Sequence, residues 1–298
     1  MNAREQGFLL LTSHLGDPQR KVLTVAQLRN LSLRVRARQK PVADGQLSVT
    51  DIMHLGYEQE TAQRIVTLLS QQEQLEWYLK KGARSGCFPI SRISEGYPAA
   101  LRNQLGLDCP GVLWAKGNLA FLEKPAISLV GSRVLKKENR IFAEEVGRQA
   151  ARQGYVLISG NANGADQTAQ KACLQAGGEV ISIVADTLEE HSLDERILYL
   201  SEDGFDLSFS PLRALSRNRL IHAMGRMTFV AQCTYEKGGT WDGTKNNLRR
   251  GYGPVFCFQD NSQAVSALTN MGAMPILMES LADFSMLQPE RSSFLETV

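Results

Sequence analysis

The sequence predicts an α/β protein, a parallel sheet with helices on both faces, preceded by a small helical domain. Three observations predict it. From residue 126 onward, apolar runs of strand length alternate with helical patterns, which is the signature of strand–helix–strand units. Those runs are nearly continuous, as strands buried on both faces require. Before residue 85 the apolar positions recur at helical spacing instead. The arrangement of the second half is Rossmann-like, and such sheets bind ligands at the loops beyond the C-terminal ends of their strands.

The first domain covers residues 1–85. Leu23, Ala26, Leu28, Leu31 and Leu33 mark one helical face, and Ile52, Leu55, Ile65, Leu68, Leu69, Leu75 and Leu79 mark another. Ser48 with Asp51 three residues on resembles an N-terminal capping pair. Gly45 and Gly56 break this half into several short helices. Residues 86–125 read as a connector rich in glycine and proline, with short strands such as residues 112–115. The main domain is set at 126–275. Its strands are expected at 126–130, 155–159, 179–184, 227–232 and 254–258. Helices follow at Ile141, Phe142, Val146 and Ala150, at 165–176, around 246–250 and at 263–268. Residues 276–298 read as an extended tail.

Composition sets the class of protein. The chain has 298 residues, 43% hydrophobic and 21% charged, which suits a soluble globular protein with a sizeable core. The net charge of +2 means that any basic surface is local. Cys87, Cys109, Cys173, Cys233 and Cys257 are scattered, with no CxxC pair, and read as buried thiols in a reducing cytoplasm. No apolar stretch reaches the roughly 18 residues of a membrane helix, and 8–11 is too short for a signal-peptide core. His14, His54, His191 and His222 have no metal-ligand spacing, and no GxSxG elbow occurs. The expectation is a cytoplasmic protein with no metal, no cofactor and no catalytic residues.

Four segments fall where ligand loops belong. Gly131, Ser132 and Arg133 follow the first strand and combine a tight turn, a hydroxyl and a guanidinium fork, with Lys136, Lys137 and Arg140 beyond. The plain alternative is a strand-to-helix turn with a solvated basic helix start. Ser159 to Asp166 (SGNANGAD) enters a helix through Gly160, Asn163 and Gly164, as a phosphate-cradling loop would. It is neither GxGxxG nor a P-loop. Arg213, Arg217, Arg219 and Arg226 lie within fourteen residues uninterrupted by an acid, with Asn218 and His222 among them. They read as a phosphate grip or as a solvated helix face. Residues 238–245 supply Gly239, Thr240 and Trp241, and the tryptophan is suited either to stacking on a base or to partial burial.

Two charge runs stand out. Arg20, Lys21, Arg29, Arg34, Arg36, Arg38 and Lys40 fit a nucleic-acid or partner surface as well as a solvated helix face. Residues 186–206 carry eight acids against one arginine, which repels DNA and suits a mobile loop or a partner contact.

Taken together, AISLVGSR (126–133), SGNANGAD (159–166), SRNRLIH (216–222) and the 239–244 loop followed by RGYGPVFCF (250–258) resemble the DNA-processing protein A (DprA, or Smf) family. The lead-in YPAAL (97–101) and PGVLWAKG (110–117) also look like that family. The resemblance implies binding of single-stranded DNA without base specificity, a homodimer, and loading of a RecA-type recombinase in natural transformation. Carried over, Gly131, Ser132, Arg133, Arg217, Asn218 and Arg219 line the DNA pocket. Lys136, Ser159, Gly160, Asn163, Gly164, Asp166, Gly239 and Thr240 complete the expected site. Asn163 stands where the family usually has an arginine, the acidic run replaces a tyrosine- and proline-rich segment, and the frequent C-terminal winged-helix domain is missing. Two other readings stay open: a nucleotide-binding sensor or nucleotide-acting enzyme of the same superfamily, in defence against foreign DNA, and a protein-interaction adaptor. Against hydrolysis, the related nucleotide phosphoribohydrolases carry a PGGxGT loop followed by a glutamate, whereas here Lys237 replaces the proline and Lys245, Asn246 and Asn247 supply no carboxylate.

Overall fold

The computed structural model describes residues 1–38 and 47–287. Gly45 and Lys40 lie outside them, as do the last eleven residues of the expected tail. In chain order the first elements are α1 (Ala3–Thr12), α2 (Val25–Ala37), α3 (Val49–Met53), α4 (Gln59–Leu69), α5 (Gln72–Arg84), β1 (Phe88–Ser91), α6 (Ala99–Leu105) and β2 (Val112–Lys116). Then come β3 (Ala126–Val130), α7 (Lys137–Arg152), β4 (Val156–Ser159), α8 (Ala165–Gln175), β5 (Val180–Ile183) and β6 (Ile197–Ser201). The chain continues through α9 (Pro211–Met224), β7 (Thr228–Val230), α10 (Gly238–Arg250), β8 (Val255–Phe258), α11 (Gln263–Asn270) and β9 (Met274–Ile276). Two compact units result, one of Met1–Leu122 with Val184–Arg213, the other of Glu123–Ile183 with Ala214–Val298.

In the first unit, three helices start where side chains satisfy orphan N–H groups of the first turn. Asn2 with Glu5, Thr24 with Gln27 and Ser48 with Asp51 each form a reciprocal capping box. Three of the basic residues of the 20–40 run are spent on the fold. Arg20 is buried and donates to the carbonyls of Leu10, Ser13 and Leu68 and to the Gln71 side chain. Arg29 pairs with Asp108 at 2.9 Å, and Arg34 donates to Leu55 O at 2.6 Å while lying over the Tyr57 ring. A three-stranded antiparallel array, β1–β2–β6, backs the helices.

The acidic run is a built part of this unit, not a loose loop. Leu188, Leu198, Leu200 and Phe205 are fully buried, and β6 lies within it. Phe205 packs its ring against Tyr78 and Trp114 at 4.5 and 4.8 Å. Asp206 accepts from Tyr78 Oη at 2.6 Å and pairs with Lys81 at 2.7 Å, Asp203 meets Arg213, and Glu189 accepts from Ser85. Glu189, Asp203 and Asp206 thus answer to local donors.

The second unit is an all-parallel six-stranded array in the order β5–β4–β3–β7–β8–β9. The chain runs from β3 outward through β4 to β5, then returns to the other side of β3 as β7 and goes outward again. The direction of winding therefore reverses between β3 and β7, and the loops beyond such a switch point are the usual ligand position in these sheets. Central strands β3 and β4 are buried along their whole length.

Helix α7 presents Asn139, Phe142, Ala143, Val146, Gly147 and Ala150 to the interior. Ile141, expected on that face, is 42% exposed, because the buried stripe is centred one residue on. Helix α10 starts at Gly238, so 238–245 is not a loop. Trp241, Thr244 and Asn247 repeat at helical spacing and are all buried, and burying that stripe overrides the low propensity of the glycines. Order also extends past residue 276: Leu281 and Phe284 are buried, Phe284 lying 5.0 Å from the Phe229 ring. All five cysteines are buried, and none forms a disulfide. Among the described residues no helix is long and apolar enough to cross a membrane.

Candidate nucleic-acid interface

The residues at the β3/β7 switch point are wired together by hydrogen bonds. Ser132 donates its N–H to Gln232 O at 2.9 Å and its Oγ to the same carbonyl at 3.2 Å. Its own carbonyl accepts from Ala165 N at 3.1 Å, which ties the first loop to the start of α8. Thr240 Oγ1 donates to Gly131 O at 3.0 Å, and the Asn218 amide donates to Gly239 O at 3.0 Å. The loops after β3 and β4, helix α9 and the first turn of α10 are thus one connected constellation. Gly131, Ser132, Asn218, Gly239 and Thr240 serve chiefly as its joints.

The second loop is organised from within. Asp166 is buried, and its Oδ2 accepts from Gly160 N at 3.1 Å and Ala162 N at 3.2 Å. Those two amides face a carboxylate of the protein itself, so they do not cradle an incoming phosphate. Burial pushes the Asp166 carboxyl above its ordinary value, against the charge of Arg217, the two N–H donors and the charge of Arg133, all of which pull it down. Gly164 has φ +89° and sits where any Cβ would strike the carbonyls of Ser132 and Arg133. Ser159 is fully buried and its Oγ accepts from Gln170 at 2.6 Å, so it anchors the loop from below. Asn163 is exposed at the loop tip.

Arginines divide by burial. Arg133 and Lys136 are exposed, and Arg219 is half-buried on α9. Arg217, on the same helix, is only 8% exposed. Its Nη1 donates to Ile183 O at 2.7 Å at the end of β5, and its guanidinium lies where a Cβ on residue 160 would be. Arg213 is held by the carbonyls of Ala185, Leu207 and Ser208 and by Ser201. So the arginine-rich segment is helical, and two of its arginines hold the fold.

Two further expectations change. Trp241 is 2% exposed and packs edge-on against Tyr235 at 5.1 Å, so it offers no face to a base. His222 is 1% exposed, bonded through Nδ1 to Asn247 and Thr228, and burial depresses its pKa to about 4. It is neutral at pH 7 and is no phosphate contact.

One important residue escaped the sequence reading. Gln232 ends the β7 segment and grips the first loop with both ends of its amide: Oε1 accepts from Lys136 N at 2.9 Å and Nε2 donates to Val134 O at 3.2 Å. Its only sequence signal is a polar residue closing the apolar run MTFVA. Asn139 supports the same corner by donating to Ala231 O at 2.7 Å and to Asp260 at 2.9 Å.

Residues 89–284, about two thirds of the chain, match the family described as DNA recombination-mediator protein A. The chain belongs to that family. The mediator-family match spans the whole constellation described above. A DNA processing protein DprA from Streptococcus pneumoniae is 33% identical over 141 residues, 44% of this chain and 50% of that protein. The Bacillus subtilis DprA is 29% identical over 162 residues, 50% of this chain and 53% of its own length. The chain thus spans about half the length of the curated relatives it matches. In fold, the crystal structure of S. pneumoniae DprA aligns with a TM-score of 0.70 at 23% identity, covering 93% of this chain and 95% of that one. The Helicobacter pylori DNA processing protein A, studied for its single-stranded DNA binding mode, aligns with a TM-score of 0.56 at 20% identity, over 67% of this chain and 95% of that one.

Proposed function

We propose that this protein binds single-stranded DNA through its phosphate backbone, at the β3/β7 switch point and without base specificity, in the service of DNA processing. One observation carries the reading: this chain, a member of the recombination-mediator family, holds an exposed and rigidly tied cationic loop (Arg133 and Lys136) at the switch point of its parallel sheet. Because the Gly160 and Ala162 amides already serve Asp166, side-chain cations carry the phosphate contacts. Arg219 and Asn163 extend this surface, while Arg217 and Asp166 hold it in shape. The protein acts without chemistry of its own, in the cytoplasm. It works as a homodimer that delivers the bound strand to a RecA-type recombinase, a role that family membership supports.

Fluorescence anisotropy of a labelled oligo(dT) at several salt concentrations tests the DNA reading. Affinity falls steeply with salt, and Arg133→Ala lowers the slope of log K against log salt by about 1 through the loss of one phosphate contact. Arg133→Ala also weakens oligo(dA) and oligo(dT) equally. Wild-type protein that ignores oligonucleotides at low salt but is thermally stabilised by a mononucleotide refutes the proposal and favours a nucleotide sensor.

A further inference from the structure

Val134 is 82% exposed, and no large apolar side chain among the described residues is more so. Isolated surface apolar groups are ordinary. This one differs in where it stands and how it is held. Its neighbours Arg133, Lys136, Lys137 and Arg140 are exposed cations, and the next residue, Leu135, turns inward at 9% exposure. The backbone on both sides is fixed by a single residue. Gln232 takes the N–H and Oγ of Ser132 on its carbonyl, the N–H of Lys136 on Oε1, and gives Nε2 to the carbonyl of Val134 itself. A β-branched side chain on such a backbone is stiff at χ1, so it loses little freedom when something packs on it.

Cations on either side fit successive phosphates. What lies between phosphates on a single strand is a sugar and an unstacked base with an apolar face, which a duplex hides inside its stack. Building on the proposed single-strand binding, we propose that Val134 is the base-face contact of this loop and sets its preference for single over double strands, with Gln232 as the positioning residue that holds it out. The contact is sequence-tolerant, because every base has such a face.

The test uses the full chain and three labelled ligands: oligo(dT), an abasic oligonucleotide of equal length with the same phosphates, and a duplex. Val134→Ala weakens oligo(dT) binding by about five-fold, the scale set by the apolar area it withdraws, and leaves the abasic strand and the duplex within two-fold of wild type. Val134→Trp tightens oligo(dT) several-fold by stacking and leaves the abasic strand unchanged. Gln232→Ala weakens both single strands, since it releases the cations along with the valine. Equal affinity of Val134→Ala and wild type for oligo(dT), or equal losses on oligo(dT) and the abasic strand, overturns the inference. If wild-type protein binds none of the three, the parent reading of single-strand binding falls as well, and the two failures are told apart.

Discussion

Gly160 is where the structure makes its sharpest energetic claim. Its φ is not in the left-handed region, so the backbone itself accepts alanine at that position. The obstacle is the Arg217 guanidinium, all three of whose nearest atoms belong to Cζ, Nη1 and Nη2. In Gly160→Ala that group must withdraw. A flexible side chain moves without steric cost, so the penalty comes from what it leaves behind. It gives up the 2.7 Å bond to Ile183 O, a charged hydrogen bond of about 1.5–3 kcal/mol. It also removes the main positive charge facing buried Asp166. Breaking a buried pair costs about 3–5 kcal/mol in the extreme, so about 3 kcal/mol is the expected loss. In a body of this size that is a fall in Tm of roughly 6–12 °C. Arg217→Met deletes the three clashing atoms. On that background Gly160→Ala is neutral or stabilising by about 0.4–1 kcal/mol, through the lower entropy of the unfolded chain. Calorimetric melting of the four proteins of this double-mutant cycle measures the coupling. Gly160→Ala melting with wild type, or costing as much with methionine at 217 as with arginine, refutes the reasoning.

Two other outcomes follow from the same region. Asp166→Ala strands two loop N–H groups and is less stable than Asp166→Asn by about 1–3 kcal/mol, since asparagine keeps an acceptor oxygen; faster amide exchange at Gly160 and Ala162 in the alanine variant alone checks the cause. His222 titrates near 4 in the folded protein and near 6.5 unfolded, so the unfolded state binds more protons between those values. Stability contributed by neutral His222 is complete above pH 6.5 and is lost as pH falls toward 4, by about 3 kcal/mol in all. Denaturation of wild type and His222→Gln across pH 4–7 shows that slope only in wild type.

Much of the fold was legible because local and global signals agree. Residues 126–130 form an apolar run interrupted only by Ser128 between Pro125 and Gly131, and β3 has those bounds. Ser48 and Asp51 announce α3 through a bond pattern that depends on three residues of separation alone. Where signals conflict, reading fails. Acids on both sides of ILYLS made 186–206 look like solvated loop, and only tertiary donors such as Lys81 and Arg213 explain their presence. Gly-Gly-Thr at 238–240 reads as a turn, and the buried stripe that makes it helical lies one to seven residues past Thr240. In the site, glycines and charges drew attention to the right loops. Their division of labour stayed hidden: Arg217 and Arg219 are two residues apart on one helix, and burial, which sequence spacing does not report, turns one inward. Gln232 carries no charge and no motif, yet it joins residues a hundred positions away.

The excursion of residues 184–213 has a bearing on synthesis. The first unit is built from two pieces of chain, and the 61 residues between them, 123–183, belong to the other. Phe205, which closes the ring cluster of Tyr78 and Trp114, and Asp206, which receives Tyr78 Oη, leave the ribosome long after their partners. At about 5–20 residues per second, the amino-terminal helices wait roughly 5–20 seconds after residue 122 before their last core side chains exist. During that interval Trp114 and its neighbours are uncovered, and a chaperone that holds apolar surface has its natural client in this half-made unit. The order in which the polypeptide emerges therefore leaves the nascent amino-terminal segment open to early misassembly.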